Sequence, residues 1–164
     1  MAGKPYPQGP NKPGAKYFLG FSKVGYAFPI AQLFPISLEI IAIISSDIGN
    51  NCAIGNAYPT FEKPRKYLAP GLFGPCGYGF PAILGAKIGC PDTPVVGFAG
   101  DGAFGISMNE MSSCAREEWP AITMVIFRNY QWGAEKRNSI LWFDDNFVGT
   151  ELDPELSYAK VANA

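Results

Sequence analysis

The sequence predicts an open parallel α/β sheet flanked by helices. Three observations lead there. Apolar runs at 40–44, 94–99 and 121–127 are too short for helices and read as buried strands. Each run ends in a polar turn that contains glycine. Between the runs lie stretches long enough to hold a helix, which parallel neighbours need. Alternation of this kind gives a parallel sheet with helices packed on it.

Taken in order, Met1 to Gly20 is rich in Pro, Gly and Lys, and residues 1–25 are expected to be disordered or loosely attached. Pro29 and Pro35 break any regular pattern between Gly25 and Ser37. Ile40 to Ile44 is the first strand candidate, closed by the polar turn Ser45 to Asn51. Tyr58 to Pro75 reads as loop, because it carries Pro59, Pro64, Pro70 and Pro75. Gly77 to Gly89 reads as a helix whose glycines allow close packing on the sheet. The strand ending at Ala99 follows, then a helix from about Phe104 to Glu117, a turn at Pro120 and the Ala121 to Phe127 strand. Arg128 to Gly133 is a loop, and Ala134 to Trp142 a short helix. Asp153-Pro154 predicts the start of a last helix, with Asp as cap and Pro in the first turn. So few strands would leave a sheet edge and a face unprotected. Residues 26–164 are therefore expected to be one domain, truncated at its C-terminus, of a longer protein.

Composition bounds the function. A chain of 164 residues with 48% hydrophobic content can bury one domain's core. A net charge of −1 gives no general reason to bind nucleic acid or an anionic membrane. The run Ile36 to Ile44 is far short of the roughly 20 apolar residues of a membrane span. The amino terminus lacks the form of a signal peptide. Cys52, Cys76, Cys90 and Cys114 are widely spaced with no C-x-x-C, which predicts reduced thiols in a cytoplasmic protein. The chain has no histidine, so Ser-His-Asp and Cys-His catalysis and histidine-ligated metals are excluded within it.

Two residues stand out. Asp101 and Asn129 end successive strands, which places both at the carboxyl edge of the sheet, where open α/β sheets bind ligands. A carboxylate and an amide carbonyl are hard oxygen donors suited to magnesium. Gly102 lets the backbone approach a phosphate, and the following helix points its amino end there. The pair predicts a magnesium-anchored diphosphate. Alone, Asp101 reads as a helix cap and Asn129 as a turn residue; their coincidence at adjacent strand ends favours ligation. Gly100 to Gly105 also matches G-x-G-x-x-G. A dinucleotide site needs an acidic residue at the end of the next strand, where this chain has Arg128-Asn129. An arginine could serve a 2′-phosphate, so an NADP-binding oxidoreductase module stays open as a second reading.

Gly100-Asp101-Gly102 followed by Asn129 resembles the thiamine-diphosphate motif of the acetolactate-synthase-like enzymes. The usual ending is Asn-Asn, and Arg128 replaces the first of the pair. Ser46-Asp47-Ile48-Gly49-Asn50, Phe61-Glu62-Lys63-Pro64-Arg65, Phe73-Gly74-Pro75-Cys76-Gly77-Tyr78 and Gln131-Trp132-Gly133-Ala134-Glu135-Lys136-Arg137-Asn138 extend the likeness to the sulfoacetaldehyde acetyltransferase family. It runs from about Ser45 to the end of the chain.

The resemblance implies thiamine diphosphate and Mg2+ as cofactors. Asp101, the Asn129 side chain and the Gln131 carbonyl would hold the ion. Gly49, Asn50, Gly102 and Ala103 would contact the diphosphate, within a wider cofactor-binding set of Ile48, Asn51, Gly74, Gly100, Asn129, Gln131, Trp132 and Gly133. Cys76 would sit beneath the thiazolium and keep the cofactor bent, by packing and not as a nucleophile. The implied activity converts sulfoacetaldehyde and phosphate to acetyl phosphate and sulfite, in taurine and sulfonate degradation. Both substrates are anions, so fixed cations are needed. Lys63, Arg65, Lys136 and Arg137 are the candidates, Arg137 foremost because it follows the magnesium loop closely; each also reads as ordinary surface charge. The family's catalytic glutamate comes from a pyrimidine-binding domain, contributed across a dimer interface. The resemblance thus implies a homo-oligomeric full-length enzyme and no turnover by these residues alone. Another acetolactate-synthase-like enzyme, or a non-catalytic module, stays open beside it.

Overall fold

The computed structural model describes residues 17–22, 42–57, 59–61, 63–71, 74–116 and 120–164, the first stretch by its backbone. Five strands form one sheet: β1 (Tyr17–Ser22), β2 (Ile43–Ser46), β3 (Tyr67–Leu68), β4 (Val95–Gly100) and β5 (Thr123–Arg128). Their spatial order is β1-β5-β4-β2-β3, and every pairing is parallel. Helix α1 (Asn50–Ala57) follows β2, and α2 (Gly79–Gly89) leads into β4. Helix α3 (Asp101–Ser107), a 3-10 turn (Met108–Glu110) and α4 (Met111–Cys114) join β4 to β5. Helices α5 (Gly133–Trp142) and α6 (Tyr158–Asn163) come last.

From β2 the chain steps out to β3, then crosses back past β2 to β4 and on to β5. The winding reverses between β2 and β4. The crevice outside their carboxyl ends is the switch point where such sheets take ligands.

Strand alternation sorts the core onto two faces. Ile43, Val95, Ala99, Met124 and Ile126 pack with Phe80, Ile83 and Leu84 of α2 and Phe104 of α3. Ile44, Val96, Phe98 and Val125 point the other way, against Phe61, Tyr67 and Phe127. Both faces of β4 and β5 are therefore apolar, the pattern expected of buried parallel strands. Gly97 marks where α2 presses closest: a Cβ there would lie 2.7 Å from Met124 Sδ and 2.9 Å from Ile83 Cδ1.

The predicted parallel sheet and its three strands are present, with small shifts at their ends. Several elements depart from expectation. β3 forms inside the stretch read as loop, because two residues ahead of Pro70 carry no detectable period. Within the segment expected to be loosely attached, Tyr17–Ser22 runs beside β5 from Thr123 to Arg128. Its sequence, YFLGFS, has the aromatic content that strands favour, and this outweighs the Pro/Gly-rich flank. The rest of 1–25, and the proline-broken stretch up to residue 41, lie outside the described residues. The helix expected from Phe104 starts at Asp101 and is interrupted by the 3-10 turn. Asp153-Pro154 does not start the last helix. Asp153 Oδ1 accepts the Glu155 N–H at 2.8 Å and turns the chain, while Ser157 caps α6. Among the described residues, no helix is long and apolar enough to cross a membrane.

Gly97→Ala should destabilise the domain by about 1–3 kcal/mol through overpacking. Urea unfolding would show a lower midpoint at unchanged slope. An unchanged midpoint would mean that Met124 and Ile83 move aside freely.

Candidate functional site

β4 delivers Asp101 as the first residue of α3, where it is buried. Its Oδ1 accepts the Gly102 N–H at 3.0 Å, and its Oδ2 accepts the Tyr130 N–H at 2.7 Å. The second bond crosses from the β4 edge to the loop after β5. Tyr130 can make it because its φ is +60°, a left-handed conformation that costs a tyrosine energy. The Arg128 guanidinium lies 4.3 Å from the Tyr130 ring centroid. A short antiparallel ladder holds the loop from outside. The Trp132 N–H donates to the Thr150 carbonyl at 2.7 Å, and the Leu152 N–H donates to the Tyr130 carbonyl at 2.8 Å. Those bonds use the residues flanking Gln131, which itself bridges Glu151. The Gln131 N–H and carbonyl are left facing the opposite way, towards Asn129.

The end of the Asn129 side chain lies 3.2 Å from Asp101 Oδ1 and 2.9 Å from the Gln131 carbonyl oxygen. With the amide nitrogen in that position, it donates to both. With the amide oxygen there, it accepts the Gln131 N–H at 3.3 Å and also faces two further oxygens, an arrangement that a cation would satisfy. Neighbouring ligands of an octahedral ion with bonds of about 2.0–2.1 Å sit roughly 3 Å apart, close to these separations. The donors are all hard oxygens, which fits magnesium. One carboxylate alone leaves the ion's charge unbalanced, and diphosphate oxygens are its natural complement.

Asp47 ends β2 much as Asp101 follows β4. It is fully buried. Its Oδ1 accepts the N–H groups of Ile48 (2.9 Å) and Gly77 (3.1 Å), and its Oδ2 accepts that of Gly79 (2.7 Å). These bonds tie the loop before α2 to the β2 edge and bring Gly74, Cys76 and Ile48 to one rim. A Cβ on Gly74 would lie 2.7 Å from Ile48 Cδ1. Gly49 takes φ +91° with nothing near its Cβ direction, opening the turn into α1. Asn51 of α1 then reaches back to Gly100, whose Cβ would sit 3.5 Å from Asn51 Nδ2. Partial burial, helped by Asp47 and Glu135, pushes the thiol of the exposed Cys76 up.

The structure thus gathers Ile48, Gly49, Asn50, Asn51, Gly74, Cys76, Gly100, Asp101, Gly102, Ala103, Asn129, Gln131, Trp132 and Gly133 at the carboxyl edge. One detail differs from the sequence reading. The Cβ direction of Gly102 is filled by the Trp132 indole, 2.8 Å from Cζ3, so glycine here makes room for a ring as well as for a ligand. Two anion candidates fall elsewhere. Lys63 and Arg65 are exposed and enter β3 from its amino end, the edge opposite Asp101. Lys136 is paired with Glu151 and lies 5.1 Å from the Phe147 ring centroid, so its charge is already engaged. Arg137 is exposed in the first half of α5, the helix that follows the loop after β5. Arg128, the residue an NADP reading needs, donates to the Pro154 carbonyl at 3.0 Å and stacks on Tyr130. Sequence reasoning missed Asp47, Tyr130 and the 150–152 ladder. Only Asp47 left a signal, as an Asp that closes an apolar run.

A family model described as "Thiamine pyrophosphate enzyme, C-terminal TPP binding domain" matches residues 47–164. The chain belongs to this family. It is 84% identical over 122 residues to a "Probable sulfoacetaldehyde acetyltransferase" of Rhizobium meliloti (strain 1021), covering 74% of this chain and 21% of that protein. It is 80% identical over 123 residues to a "Sulfoacetaldehyde acetyltransferase" of Roseovarius nubinhibens, covering 75% of this chain and 20% of the relative. Identity is 34% over 114 residues, 68% of this chain and 17% of the relative, to "Acetolactate synthase 2, chloroplastic" of Nicotiana tabacum. The chain therefore spans about a fifth of the length of the curated relatives it matches. Thiamine diphosphate is the cofactor that the family's description names.

Because its pKa is raised, Cys76 should stay a thiol through neutral pH despite its exposure. Its iodoacetamide alkylation, followed by peptide mass spectrometry, should be slower at pH 8 than that of an unstructured cysteine peptide, and should accelerate only at higher pH. A rate equal to or above the peptide's would contradict the assignment.

Proposed function

We propose that this chain is the diphosphate- and magnesium-binding part of a sulfoacetaldehyde acetyltransferase. The observation that carries the reading is the convergence of Asp101 Oδ1, the Asn129 side chain and the Gln131 carbonyl at the sheet's carboxyl edge. The substrate class rests on the contrast between 80–84% identity to proteins of that name and 34% to an acetolactate synthase. No carboxylate ends β5, and Arg128 is engaged, so nothing favours the dinucleotide alternative.

In this reading Asp101, Asn129 and Gln131 hold Mg2+. Gly49, Asn50, Gly102 and Ala103 contact the diphosphate, and Cys76 supports the bent cofactor. When bound, thiamine diphosphate supplies a carbon that adds to a carbonyl and stabilises the resulting carbanion. The longer protein would convert sulfoacetaldehyde and phosphate to acetyl phosphate and sulfite, in sulfonate breakdown such as that of taurine and in the cytoplasm. Arg137 is the retained candidate for a substrate anion. The activating glutamate comes from a pyrimidine-binding domain, across a homodimer interface, so these residues alone turn over nothing.

Calorimetric titration of the chain, its folding verified by circular dichroism, tests the reading. Thiamine diphosphate should bind only when magnesium is present. Asp101→Ala should weaken that binding by about 100-fold or more, since even outer-shell partners of a metal are worth roughly 10–100-fold. Magnesium-independent binding, no binding by the folded chain, or an unaffected variant would overturn it.

A further inference from the structure

Resting on that metal reading, we propose that the Tyr158 hydroxyl is a positioning group for the Asp101 turn, setting the geometry of the metal site from α6. Tyr158 is buried, and its hydroxyl donates to the Asp101 main-chain carbonyl at 2.6 Å, across 57 positions of sequence. Its ring meets Phe104 edge-on, with centroids 5.2 Å apart and planes at 86°. The facing turn of α3 makes room for it: a Cβ on Gly105 would lie 2.7 Å from the Tyr158 oxygen. Ring packing alone would be served by phenylalanine. The hydroxyl and the gap at Gly105 add a directed bond to a residue whose side chain bridges the ends of β4 and β5.

That bond completes a clamp. The Asp101 carboxylate is held by the Gly102 and Tyr130 N–H groups, and its carbonyl by Tyr158. Residues upstream of Tyr158 hold the other half of the site. Thr150 and Leu152 pair with Trp132 and Tyr130, and the Pro154 carbonyl accepts from Arg128. One segment, 150–158, therefore fixes both the β4 and the β5 donors. Magnesium demands near-ideal octahedral geometry, whereas calcium tolerates irregular sites. A group that sets geometry should therefore matter more to magnesium than to calcium.

The test is calorimetric titration of the full chain with thiamine diphosphate, in magnesium and separately in calcium, for the wild type, Tyr158→Phe and Gly105→Ala. Tyr158→Phe keeps the ring, and Gly105→Ala displaces the hydroxyl while leaving it present. Both should lose about tenfold in the magnesium titration and less than about threefold in calcium, narrowing the preference between the ions. Equal losses with both ions, or no loss, would make Tyr158 structural only and overturn the proposal. Failure of the wild type to bind with either ion would instead overturn the metal reading, and this proposal with it.

Discussion

One buried carboxylate ties the functional edge together. Asp101 takes one backbone N–H from its own turn and one from the loop after β5, so two parallel strands that pair along their length are also locked at their ends. Hydrogen bonds to a charged acceptor contribute about 1.5–3 kcal/mol each. The left-handed Tyr130 that reaches Asp101 costs about 1–3 kcal/mol. The two magnitudes are comparable, so the bridge offsets the strain it requires. The strained loop then brings the Asn129 amide beside both Asp101 Oδ1 and the Gln131 carbonyl.

Asp47 and Asp101 occupy equivalent places at the ends of neighbouring strands, yet the hydrogen-bond pattern separates their roles. Asp47 accepts three backbone N–H groups over its two oxygens, so it acts as a fixed post for the loop that carries Gly74 and Cys76. On Asp101 each oxygen accepts one N–H, and Oδ1 also faces the Asn129 side chain. A lone pair left over, pointed at other oxygens, is what a cation needs. Two similar carboxylates thus differ in how many donors surround them, which is why only Asp101 of the two is proposed as a metal ligand.

Much of this was legible in the chain because β4 and β5 are apolar on both faces and break sharply into Gly100-Asp101-Gly102 and Arg128-Asn129. A buried parallel strand has to look like that, and its end has to be polar. What was not legible depends on distance or direction. β3 is two residues long and leaves no period, so nothing in the sequence shows that Lys63 and Arg65 precede it at its amino end. Helix α1, NNCAIGNA, carries no apolar stripe and hides inside a turn-like composition. Asp153-Pro154 has the letters of a helix start, but the Asp side chain bonds two residues ahead and makes a turn instead. Lys136 looked available until the fold brought Glu151 beside it. Tyr158 meets Asp101 only through the tertiary fold, and nothing local marks it.

In the proposed reading Asp101, Asn129 and Gln131 hold one divalent ion. The most direct measurement is a crystal structure of the chain grown with thiamine diphosphate and Mn2+ in place of Mg2+, with the ion located by its anomalous scattering. One peak is expected at bonding distance, about 2.0–2.3 Å, from Asp101 Oδ1, the Asn129 side-chain oxygen and the Gln131 carbonyl. A peak elsewhere in a crystal that contains the cofactor, or Asn129 with its nitrogen turned to Asp101 beside bound diphosphate, would contradict it.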